Sequence, residues 1–200
     1  MTPVDEVIAF WFGELQPVQW WRADPGLDRF IRERFGPLHA RAERGELINW
    51  RGTALGRLAE IIVLDQFSRN IWRGTARSFA SDGMALVLAQ EAVAGGADQA
   101  LPLKMRAFMY MPFMHSESMV IHEQAMMLFS APGLEDNLRS ERQHLEILKR
   151  FGRYPHRNEV LLRPTTAEES AFCVMKGVAS DIRAQLYFCL HSRLCCCGGD

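Results

Sequence analysis

The alternation of apolar and polar residues that marks a half-buried strand is almost missing from this 200-residue sequence. Cysteine is scarce through its body. Before residue 189 only Cys173 occurs, while Cys189, Cys195, Cys196 and Cys197 crowd toward the end. That distribution excludes a disulfide framework. No apolar run approaches the roughly 18 to 20 residues that cross a membrane, and the stretch from Ala107 to Met114 is short and carries Pro112. The opening "MTPVDEVIAFWFGEL" lacks the basic start of a secretory signal, with Asp5 and Glu6 where positive charge belongs. Charge of either sign is not in excess: the formal net charge is −1. No general attraction to nucleic acid or membrane follows. These absences lead to the expectation of a cytoplasmic chain with neither of those as a partner.

What is present is helical spacing. With 48% hydrophobic and 24% charged residues, the composition is that of an ordinary globular protein. Asp24-Pro25 predicts a helix start, and Leu27, Phe30, Ile31, Phe35 and Leu38 follow on one face. Gly36-Pro37 predicts a kink or split before Gly45 ends that helix. Thr53 is a candidate cap for the next helix, and another runs from Ser81-Asp82 to Gly95-Gly96. Pro102 opens a short helix that Pro112 is expected to bend or end, after which Ser116 is the expected cap. A longer helix spans about Glu135 to Phe151, ending at Gly152. Thr166 and Glu169 have capping-box spacing. About seven or eight helices on short connections imply stacked antiparallel pairs, so the fold class is all-α. The expected division is a helical domain over residues 1–172 and an atypical Cys-rich extension over 173–200.

Three polar segments stand out. In "LDQFSRNIWRGT" a regular helix places Asp65, Gln66, Arg69, Asn70 and Arg73 on one side. Exposed helix faces favour Lys, Glu and Ala, whereas Asp, Asn and Arg have more specific hydrogen-bond geometry. A structural ion-pair network, a ligand site and a plain solvated face with an Asp65–Arg69 pair at i, i+4 are the three readings of that choice. In "YMPFMHSESMVIHEQ" His115 and Glu117 flank Ser116, a pairing suited to acid–base work or to a helix cap. His115 and His122 lie roughly 10 Å apart along a helix, too far to share one ion, and no metal site is expected. In "RFGRYPHRN" Arg150, Arg153, His156 and Arg157 gather at a helix C-terminus, where cations are favoured and where guanidiniums could hold a carboxylate or phosphate. The sequence has no Gly-rich phosphate loop and no GxSxG elbow, and its motifs call for no cofactor. The methionines from Met105 to Met127 read as core filler, and Trp11, Trp20 and Trp21 as a seal between the first two helices.

Taken together, "FWFGEL", "LDQFSRNIWRGTARSFASD", "YMPFMHSES" and "RFGRYPHRN" strongly resemble the bacterial family known as domain of unknown function 924, from about Val4 to Phe172. The resemblance implies a tetratricopeptide-like helical fold and no established activity. It marks Asp65, Gln66, Arg69, Asn70, Arg73, Gly74 and Asp82, then His115, Ser116 and Glu117, then Arg153, His156, Arg157 and Asn158 as family positions. Ser68 stands where the family often has Pro, and the 28 residues after Phe172 exceed the family's usual length.

The preferred expectation is a domain that binds a small anionic molecule or a peptide carboxylate. Its candidate ligand residues are Asp65, Gln66, Arg69, Asn70, Arg73, Arg153, Arg157 and Asn158, with Arg69, Arg73, Arg153 and Arg157 lining an open cleft. An enzyme is the second reading, with His115 or His156 as general base oriented by Glu117 or Asp65. A scaffold for a protein partner is the third.

Overall fold

The computed structural model describes residues 1–175, and the expected Cys-rich extension from residue 176 onward lies outside the described residues. Among the described residues there is no strand, and the elements are nine α-helices with short turns and π-helical segments between them. They are α1 (Pro3–Ala9), α2 (Pro25–Glu43), α3 (Ala54–Ile61), α4 (Ser68–Ile71), α5 (Asp82–Ala94), α6 (Leu103–His115), α7 (Met119–Phe129), α8 (Glu135–Phe151) and α9 (Ala167–Met175).

Local chemistry explains most boundaries. Asp24 accepts from the N–H groups of Gly26 and Leu27 at the head of α2, and Thr53 accepts from Gly56 at the head of α3. Glu169 and Thr166 exchange bonds in a capping box at α9. Gly152 takes φ 69° and stops α8, a left-handed conformation that glycine adopts without penalty.

Both helices continue through their prolines, which corrects the expected split at Pro37 and the expected end at Pro112. Pro37 neither splits nor ends α2; it lies on an exposed face, where the carbonyl it leaves unbonded can meet water. Pro112 lies inside α6, which continues to His115. The cap of α7 is Ser118, not Ser116, whose hydroxyl instead accepts from the Ser118 N–H.

Two rods form the interior. The first joins α3 to α4 through a π-helical stretch, Ile62–Phe67, and every residue from Leu58 to Ile71 is buried. The second is α6, buried without interruption from Ala107 to His115. Helix α2 packs on the first rod, α5 on α3 and α6, and α7 and α8 follow in sequence against α6. Trp11 sits at the centre of an aromatic cluster with Trp20, Phe67 and Phe108, so it seals α6 as well as the N-terminal helix. The indole N–H of Trp20 donates to the Trp11 carbonyl at 2.9 Å. Of the methionines, Met109, Met111 and Met114 are core, whereas Met127 is 71% exposed.

Gly56 allows the turn over Ile48–Gly52 to lie against α3. A Cβ at that position would stand 1.9 Å from the Trp50 carbonyl oxygen and 2.8 Å from its carbon. Both are backbone atoms and cannot rotate away, so Gly56→Ala is expected to lower stability by about 1–3 kcal/mol. Urea unfolding of the variant checks this. An unchanged midpoint would mean that the backbones do not meet there.

Candidate functional site

The π-helical stretch sets the site. Its wider turn changes the phase of the rod, and such segments are frequent at functional positions. Asp65, Gln66, Ser68, Arg69 and Asn70 are all buried, so this is no solvated helix face. Asp65 and Gln66 turn toward the end of α6. His115 Nδ1 lies 2.7 Å from Asp65 Oδ1, and the Gln66 amide donates to Asp65 Oδ2 at 2.6 Å. Burial alone would raise the Asp65 carboxyl. The His115 ring, the Arg69 guanidinium and the Gln66 amide outweigh it and hold the group at about 2.

Arg69 and Arg157 share one carboxylate, each on a different oxygen. Arg69 Nη1 is 2.7 Å from Asp82 Oδ1 and also donates to the Ser78 carbonyl. Arg157 Nη1 is 3.3 Å from Asp82 Oδ2, and its Nη2 donates to the His115 carbonyl at 2.9 Å. The Asp65–Arg69 pair expected from sequence exists at 3.7 Å, too long for a hydrogen bond. Both guanidinium carbons face the Phe79 ring, at 4.8 and 4.6 Å. Arg69 is 3% exposed and Arg157 5%. Asp82, Phe79 and His156 are half-buried and form the solvent side of the cluster.

Several nitrogens of this cluster are buried without a protein hydrogen-bond partner: Arg69 Nε and Nη2, Arg157 Nε, His115 Nε2, and both ring nitrogens of His156. Burial, then the positive charge of Arg157, pushes the His156 imidazole well below its usual range. It is therefore neutral at pH 7.

The remaining expected site residues lie in other networks. Asn70 donates to Asp28 of α2 at 2.7 Å, and Arg73 grips the same carboxylate, tying α4 to α2. Arg153 forms a two-pronged bond with Glu169 at 2.7 and 3.0 Å, tying α8 to α9. Glu117 accepts from Arg163 and from the Tyr154 N–H, and Asn158 accepts from Arg163. Glu117 therefore orients neither His115 nor His156, and the expected four-arginine lining reduces to Arg69 and Arg157. Asp82 was legible as a helix start and a family position, but not as the carboxylate between two arginines.

A second buried His–carboxylate pair lies beside the first. His122 Nδ1 bonds Glu141 Oε1 at 2.5 Å, while its Nε2 is 2.8 Å from the Ser116 carbonyl and 3.1 Å from the Tyr154 hydroxyl. Both nitrogens of His122 are thus occupied, unlike those of His115. Among the described residues, no three His, Cys, Asp or Glu side chains are grouped to hold a metal ion. An apolar cavity of about 840 Å³ lies elsewhere, lined in part by Val4, Trp50, Leu55, Leu101 and Met105, and shares no residue with the cluster.

The comparisons agree with this frame. The family described as "Bacterial protein of unknown function (DUF924)" matches residues 7–177. The chain belongs to this family. A solved structure of a protein of unknown function from Agrobacterium tumefaciens is similar to it at 39% identity. The similarity covers 84% of this chain and 95% of that one, with a TM-score of 0.79. No curated protein matches. The DUF924 chain is therefore all-α. Among its described residues, no helix is long and apolar enough to cross a membrane.

Proposed function

We propose that this DUF924 protein binds a small anion or a peptide carboxylate at the Arg69–Arg157 cluster. One observation carries the reading: Arg69 Nε and Nη2, with Arg157 Nε, are buried and have no protein acceptor. A buried donor without a partner costs about 1–3 kcal/mol, and more when charged. Native proteins rarely keep several such groups together unless something uses them. Asp65 and Asp82 fix the two guanidiniums in place, which lowers the cost of ordering them on binding.

A thermal-unfolding screen of the full chain against anionic metabolites and short acidic peptides tests this reading. A ligand at 100 times its Kd should add about 2.7 kcal/mol of stability, a rise in Tm of roughly 5–10 °C. The rise should vanish in Arg157→Met. A wild type that no anion stabilises, beside an Arg157→Met variant that merely unfolds earlier, would leave the cluster a structural network.

The Asp65–His115 pair supports a second reading, in which the bound molecule undergoes acid–base chemistry. A carboxylate on Nδ1 with Nε2 unbonded is the arrangement that frees an imidazole to accept a proton. The scaffold reading rests only on the apolar cavity and ranks behind both.

A further inference from the structure

We infer that the ligand of this cluster is a carboxylate bearing a single negative charge, rather than a phosphate, sulfate or other doubly charged oxyanion. The inference rests on the anion-binding reading above and adds the ligand's chemical class. Shape and charge support it separately.

The shape is that of an arginine edge. The Nε–H and Nη2–H bonds of a guanidinium point in parallel and match the two oxygens of a planar carboxylate. This chain uses that edge for that purpose elsewhere. Arg51 holds Glu60 through Nε at 2.8 Å and Nη2 at 2.7 Å. Arg153 holds Glu169 the same way, and Arg73 holds Asp28. Arg69 differs. Its Nη1 is taken by Asp82 and the Ser78 carbonyl, leaving the Nε–Nη2 edge buried and unmatched. Asp65 stands 3.7 Å from Nη2 and is already held by His115 and Gln66.

The charge count points the same way. The Arg69 and Arg157 guanidiniums are balanced by the Asp65 and Asp82 carboxylates. Around them, Arg163 is already paired with Glu117, and Glu141 with His122. A singly charged ligand adds one negative charge to this balanced, buried cluster. A doubly charged one adds two, with a larger desolvation penalty for the uncompensated charge.

The Arg Nε–H resonances in proton–nitrogen NMR spectra of the full chain give the test, with Arg69 assigned by the signal lost in Arg69→Lys. Acetate and benzoate would be titrated against sulfate and inorganic phosphate at neutral pH and matched ionic strength. The expected result is a saturating shift of the Arg69 signal with the carboxylates. Sulfate and phosphate should bind at least about tenfold more weakly, equal to about 1.4 kcal/mol. Arg69→Lys keeps the charge but loses the edge, so acetate-induced stabilisation should disappear in it. Sulfate or phosphate moving the same signal as tightly as acetate would overturn the carboxylate assignment and leave the anion site standing. No movement with any of the four, in a folded wild type, would overturn both. Where Arg69→Lys fails to fold, through-bond assignment of the wild-type spectrum identifies the Arg69 signal, and the comparison within the wild type decides.

Discussion

Asp82→Ala is expected to destabilise the chain by about 3–5 kcal/mol, the cost of breaking a buried pair and stranding its partner. Here one carboxylate serves two partners. Arg69 and Arg157 both rest on Asp82, across the face of Phe79, and removing it leaves two buried guanidiniums facing each other without their shared counter-charge. The Asp82 side chain is 18% exposed, so some water reaches the gap and the effect falls toward the lower end of that range. For a chain of this size, each kcal/mol shifts Tm by roughly 2–4 °C, so the fall should exceed about 6 °C. The truncation also opens a space bounded by two cations. Acetate should fill it and restore part of the loss, whereas chloride at the same ionic strength should not. Calorimetric scans of wild type and Asp82→Ala with each salt check both statements. A variant as stable as wild type would show that the arginines are solvated rather than buried.

Acidification should destabilise the protein across a window set by its buried imidazoles. Burial pushes His144 down to about 4, against the opposing hydrogen bond to the Ser140 carbonyl. His156 is pushed down as well. An imidazole whose folded pKa is depressed contributes stability fully above its unfolded value of about 6.5, and loses it as pH falls toward the folded value. The unfolded chain binds protons that the native state refuses. For His144 alone the loss is roughly 2 kcal/mol at pH 5, from 1.36 kcal/mol per pKa unit, and His156 adds in the same direction. Glu141 works in the opposite sense, since burial raises it despite the His122 bond. Its protonation therefore returns a part of the loss at the acid end. Asp65, held at about 2, loses its contribution progressively as pH falls from the ordinary carboxylate value toward 2, below the window measured at pH 7 and 5. Urea unfolding at pH 7 and pH 5 measures the slope, and His144→Phe should flatten it. Equal stability at the two pH values would mean that neither imidazole is kept neutral by the fold.

Most helices were legible because their signals are local. A capping Asp24 before Pro25, a Thr166–Glu169 box and a glycine after α8 act over one turn of chain, and neighbouring residues suffice to specify them. That both helices run on through their prolines was not legible, for the complementary reason. Whether Pro37 or Pro112 breaks a helix depends on where the freed carbonyl points and what packs around the ring, which adjacent residues do not state. The same limit applied to the 64–75 stretch. Its periodicity assumed regular α-helix, while the chain adopts a π-helical turn over Ile62–Phe67 inside a fully buried rod.

The sequence by itself determined the helical class, the family, and a set of polar positions too specific in hydrogen-bonding geometry for an ordinary exposed face. Tertiary structure alone decided how those positions divide. Asn70 and Arg73 go to Asp28, Arg153 to Glu169, and Glu117 to Arg163, all across the chain from one another. Arg69 and Arg157 meet instead over Asp82, with His115 and Asp65 beside them. The physical reason is that helix spacing fixes which side chains share a face. Partners 50 or 75 residues apart, as for Asp65–His115 and Asp82–Arg157, are chosen by packing.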